Sequence, residues 1–174
     1  MRYLLVAALL ASPALAREVT EADRAEVADL VAEFGEVVEI GDMPGLVGFI
    51  PPPVITTIAE ANGISEEVLL DAMTVAMTEA LSGVTFESFE MDLEAAEAGE
   101  TPQGRPYMTI PTTSVMMVEG AGRATATSTT LALEDGGEWY VARIDDATQL
   151  AVLYDTYPDF AGIEFPEGTM EFEE

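Results

Sequence analysis

The chain of 174 residues contains no cysteine, no histidine and no lysine. Each absence closes a class of chemistry. Without cysteine no disulfide braces the fold, so packing alone must hold it. Without cysteine and histidine there is no Ser-His-Asp or Cys-His nucleophile system and no ordinary zinc or copper site. Without lysine there is neither a Schiff base nor a P-loop, and no GxGxxG fingerprint occurs. Only Asp, Glu, Tyr, Ser, Thr and Arg remain as polar actors, so no cofactor and no metal is expected.

Positive charge is scarce as well. Acids outnumber bases 33 to 6, the net charge is −27, and every base is an arginine. Such a surface repels nucleic acid and anionic lipid headgroups, so neither is an expected partner. Calcium loops gather several carboxylates within about a dozen residues around a glycine. The nearest approach, Glu134-Asp135-Gly136-Gly137-Glu138, reads as a hairpin turn. The acidity reads as a solvated surface suited to high ionic strength, where salt screens self-repulsion.

What is present begins with a leader. Arg2 precedes an apolar run, Tyr3 to Ala11, too short to span a bilayer. Ser12 and Pro13 break the run, and Ala14-Leu15-Ala16 is a small-x-small cleavage site. Residues 1–16 therefore read as a secretory signal peptide, which places the product in the periplasm or outside the cell. No cysteine follows to accept a lipid, and no later stretch re-anchors the chain, so no membrane anchor is expected. Removal of Arg2 with the leader takes the net charge from −27 to −28. Residues 17–161 then form one domain, and residues 162–174 an acidic, Pro/Gly-punctuated tail expected to be mobile.

Thr20 and Asp23 resemble a capping box with aspartate in place of glutamate. Val27, Leu30, Val31, Phe34 and Val38 recur at helical spacing, with Glu26, Asp29, Glu33 and Glu36 opposite. Gly41 ends this helix. Asp42 to Pro53 is a break, and Pro53 opens a short helix to Ala61 that Gly63 caps. Ser65 caps a further helix whose stripe is Leu69, Ala72, Met73, Ala76 and Ala80. After Gly83 the period changes to two. Val84 to Leu93 is a strand with a slip near Glu87-Ser88, read as a bulge. Glu94 to Gly104 is a polar connection. Arg105 to Val118 is a strand interrupted or bent at Pro111. Arg123 to Leu133 alternates and turns through Asp135-Gly136-Gly137 into Trp139 to Asp145. Asp146 caps a last helix, Ala147 to Asp155.

This order predicts an α+β fold: N-terminal helices packed on one face of a curved antiparallel sheet of about four strands, and a short C-terminal helix. The long first helix, the middle helices and the hairpin LALEDGGEWYVARID give a layout that resembles the nuclear transport factor two-like, or ketosteroid-isomerase-like, α+β cone superfamily. The resemblance runs over roughly residues 18–161 and implies a pocket between helices and sheet. It departs from that superfamily in having no strand pair among the helices before Gly83. No residues match that superfamily's catalytic pattern.

The best local cluster is basic and aromatic: Arg105 and Tyr107 at the start of one strand, Tyr140 and Arg143 on another. An arginine can hold a carboxylate or phosphate bidentately, and it can equally pair with the chain's own acids. Met73 and Met77 lie one helical turn apart, and Met116 and Met117 on opposite faces of a strand. Thioethers alone make an unusual metal site, so they read as core. Trp139 and Tyr140 point to opposite faces, one to the core.

With no complete catalytic constellation, the expected role is a non-catalytic module binding a small hydrophobic or anionic ligand, or another protein. The alternative is a cofactor-free isomerase or lyase using Asp/Glu and Tyr groups in the pocket. A third reading is a structural or homodimer-forming domain with no pocket at all, which a filled cone and an exposed apolar sheet face would favour. A buried acid within reach of a tyrosine hydroxyl inside the cavity separates the first two.

Overall fold

The computed structural model describes residues 18–144 and 146–173. The leader, residues 1–16, lies outside the described residues. Four helices come first: α1 (Glu21–Ile40), α2 (Met43–Val47), α3 (Pro52–Asn62) and α4 (Glu66–Leu81). Then follow β1 (Val84–Met91), β2 (Glu97–Glu100), β3 (Pro106–Val118), β4 (Gly122–Asp135) and β5 (Glu138–Ile144). Helix α5 (Ala147–Thr156) and strand β6 (Thr169–Phe172) complete the chain. The fold is α+β, with N-terminal helices, a curled antiparallel half-barrel sheet and a short C-terminal helix. No helix among the described residues is long and apolar enough to cross a membrane.

The capping box forms. Thr20 Oγ1 accepts from the Asp23 amide at 3.2 Å, and Asp23 Oδ2 accepts from the Thr20 amide at 2.8 Å. Shortening Glu to Asp in this motif also lets the carboxylate turn inward. Asp23 is buried, and its Oδ1 accepts from the Trp139 indole at 3.3 Å, which ties the first turn of α1 to β5. Gly41 and Gly63 cap α1 and α3 in the left-handed conformation, with φ of 68° and 65°.

The sheet is four strands wide, with β1 and β2 sharing one side of β3 and β5 and β6 sharing the far side of β4. Strands β3 and β4, 13 and 14 residues long, form its spine. Pro111 sits inside β3 because its missing donor falls in the gap between β2 and β1. Its carbonyl accepts from the Asp92 amide at 2.8 Å on that side, and its nitrogen points the same way. The slip in β1 is a bulge: Phe86 pairs with Met116 and Ser88 with Val115, leaving Glu87 extra. The bulge switches parity, so Val84 and Phe86 before it and Phe89 and Met91 after it all turn inward. The β4–β5 loop has Gly136 and Gly137 at φ 65° and 94°, the two positive angles of a type I′ turn.

Alternation assigns two faces. Met108, Ile110, Ala132, Trp139 and Val141 face inward and pack with Val27 and Phe49 beneath the N-terminal helices. Leu131, Leu133 and Ile144 face outward and pack with Leu153, Tyr157, Phe160 and Phe165. Helices thus cover both faces rather than one, because Leu131-Ala132-Leu133 is an apolar run that needs burial on both sides. Helix α5 rounds the β5 edge. The chain at Phe49 seals that edge, its carbonyl accepting from the Val141 amide at 3.2 Å.

Three short elements fall where the pattern predicts loops. Helix α2 occupies the break after α1, capped by Asp42. Strand β2 lies in the polar connection, where Gly99 makes room for the Tyr107 ring. In the acidic tail, Phe165 is buried and Thr169–Phe172 pair with Ala124–Thr127 of β4. The stripe of α4 also differs. Leu69, Leu70, Met73, Met77 and Leu81 turn inward, while Ala72, Ala76 and Ala80 face solvent. Longer side chains remove more apolar area from water than alanines do, and they set the rotation of the helix.

Candidate functional site

Between the inner face of the sheet and the helices lies a cavity of about 450 Å³. From β4 it is Thr130 that lines it, and Ala142 and Ile144 with Val152 and Leu153 carry the cavity round the β5 edge to α5.

The helical wall is apolar: Phe34 and Val38 from α1, Ile58 from α3, and Met73, Met77 and Leu81 from α4. Phe86 and Phe89, brought to one face by the bulge, close the β1 side. Phe34 meets the Phe89 ring at 5.7 Å and Phe49 edge-on at 5.0 Å. The sheet wall is different in kind. Thr112, Ser114 and Thr130 place hydroxyls there, all three residues buried. Thr112 Oγ1 and Thr130 Oγ1 are 2.8 Å apart, and Thr112 donates to the Ile110 carbonyl at 3.2 Å. Thr130 is therefore the donor of the pair, and both protons are used. Ser114 is 5% exposed, and its hydroxyl has no hydrogen-bond partner among the described residues.

At the exposed rim stand Arg143 of β5 and Thr148 and Gln149 of α5. Arg143 shares the inner face because it alternates with Val141 and Trp139 and lies opposite Thr130. Among the described residues it is the one charged group in the cavity lining, and none of them places an Asp, Glu or Tyr there.

The structure does not gather the four residues of the basic-aromatic cluster into one site. Arg143 alone lines the cavity. Tyr107 and Tyr140 flank Leu133 on the outer face, and Arg105 precedes β3 near them. Arg105 forms a clamp: Nε donates to Asp159 at 2.9 Å, and Nη1 to Asp135 at 3.1 Å and to the Glu134 carbonyl at 2.7 Å. Its guanidinium also stacks 4.6 Å from the Tyr157 ring centroid. Burial opposes its charge, but Asp159 and Asp135 outweigh burial and raise its pKa. Tyr157 donates to Asp135 at 3.1 Å, and burial, then the Asp135 charge, push its hydroxyl well above the usual tyrosine range. Tyr107 packs on Phe160 at 5.3 Å and is raised by burial. Tyr140 donates to Glu138 at 2.8 Å, a bond that raises it.

The hydroxyl floor escapes sequence reasoning. Thr112 and Thr130 are neighbours only through the β3–β4 register, which no single strand encodes. Among the described residues no group of three or more acids is placed to hold a metal ion. Comparison with models of protein families, with characterised proteins and with solved structures yields no match to this chain.

Proposed function

We propose that this protein is a non-catalytic binding module for a small, mainly apolar ligand, held in the cavity between the helices and the inner face of the sheet. One observation carries the reading: a cavity of about 450 Å³ whose lining, among the described residues, has apolar walls, a hydroxyl floor and no carboxylate or phenol. That volume is in the range of small-molecule sites, and a few polar groups among apolar walls are what orient a ligand. The tyrosine–acid pairs that an isomerase would use, Tyr157–Asp135 and Tyr140–Glu138, hydrogen-bond on the outer face instead. With the leader removed, the module would act outside the cytoplasm.

The test is fluorescence titration with the neutral apolar dye N-phenyl-1-naphthylamine. Saturable binding at one site is expected. Ser114→Phe, and separately Met73→Phe, should fill the cavity and lower affinity at least tenfold while the thermal transition persists. No saturable binding, or undiminished binding by both folded variants, overturns the reading.

A further inference from the structure

The geometry points to the ligand class: a linear amphipathic anion of about a dozen carbons, with its carboxylate at Arg143 and its chain along the Met73, Met77 and Phe86 wall. This rests on the cavity being a binding site, as proposed above.

Three features converge on it. The first is charge. Acids outnumber bases 33 to 6 in this chain, yet among the described residues the one charge in the cavity lining is a base. An uncharged hydrocarbon gains nothing from an arginine, and an organic cation would be repelled by it. Asp146, which precedes α5 on the same rim, directs Oδ1 to the Thr148 and Gln149 amides at 2.7 and 3.0 Å. The second is donor capacity. Arg143 already has an interaction within the chain. A guanidinium carries five N–H donors in a planar fork, enough for that interaction and a ligand carboxylate together. The third is polarity along the site. Arg143 is exposed at the rim, Thr130 opposite it is buried, and the helical wall beyond is wholly apolar. A ligand charged at one end and apolar at the other matches that gradient. A cavity of about 450 Å³ lies within the roughly 300–1,000 Å³ of small-molecule sites, room for a chain of about a dozen carbons.

The experiment is displacement of N-phenyl-1-naphthylamine from the whole chain by dodecanoate and by dodecan-1-ol, in the parent protein and in Arg143→Gln and Arg143→Lys. Dodecanoate should compete at least tenfold better than dodecan-1-ol. In Arg143→Gln that preference should vanish; Arg143→Lys should restore part of it. If the dye binds but the two competitors rank equally, or the preference survives Arg143→Gln, the anionic ligand class is overturned and the binding module stands. If the dye does not bind at all, the module itself fails.

Discussion

Asp23 shows how one side chain serves two levels of structure. Its carboxylate accepts from the Thr20 amide, closing the capping box of α1, and from the indole of Trp139, 116 residues away. Asp23→Ala removes the carboxylate's bond to the Thr20 amide, while Thr20 still caps the helix, and leaves a buried indole N–H without its partner. A lost hydrogen bond costs about 1 kcal/mol and an unsatisfied buried donor about 1–3 kcal/mol. A loss of about 3 kcal/mol in urea unfolding is therefore expected, and Asp23→Asn should recover about half of it. Tyr157 makes a pH-dependent contribution of defined sign. Its folded pKa lies above the ordinary value of 10.0, so the folded chain holds the phenol proton more tightly than the unfolded chain. The contribution is complete below pH 10.0 and declines as pH rises past it. Tyr157→Phe should flatten the stability–pH profile above that pH, measured by urea midpoints. Residue chemistry was legible at Arg143 and Arg105 alike, as arginines on or beside strands. Their separation was not. Arg105 meets Asp135 and Asp159 only once the hairpin and the turn after α5 are in place.

At the scale of elements, the bulge in β1 decides the shape of the cavity. One extra residue, Glu87, lets Phe86 and Phe89 both face inward although their positions differ in parity. Deleting Glu87 restores strict alternation and must turn one pair, Val84 with Phe86 or Phe89 with Met91, toward solvent. Re-exposing two half-buried apolar side chains costs about 3 kcal/mol, and the dye site should weaken with it. Glu87→Ala keeps the extra residue and gives up only an exposed pairing with Arg123, so its urea midpoint should barely move. The slip in the pattern marked this bulge in advance, as did the caps of α1, α3, α4 and α5. The short elements were hidden for a physical reason. Glu97–Glu100 reads EAGE, with no β-branched or aromatic residue. Its strand state comes from pairing with β3, a tertiary effect that composition does not carry. Thr169–Phe172 does carry a β-branched and an aromatic residue, but all four are exposed and pair only with β4.

For the whole molecule, the governing quantity is a net charge of −27 on a chain with no disulfide and no lysine. Like charges destabilise the compact state, and salt shortens their reach from about 10 Å at 0.1 M to about 3 Å at 1 M. The melting temperature should rise as sodium chloride is raised across that range; a flat or falling profile would contradict a salt-adapted surface. The α+β class was readable from the change of period at Gly83. That helices shelter both faces was not, since it depends on how far α5 travels round the β5 edge.

Trp139 is the one tryptophan in the chain, and its indole sits where the first turn of α1 meets the sheet. The molecule thus carries a built-in optical gauge of a single seam. Its emission should redden when α1 lifts from the inner face, whatever happens to the tyrosines gathered around α5 on the outer one. Tryptophan emission and tyrosine absorbance, followed through the same unfolding transition, would show whether the two sides of the sheet come apart as one body or in turn.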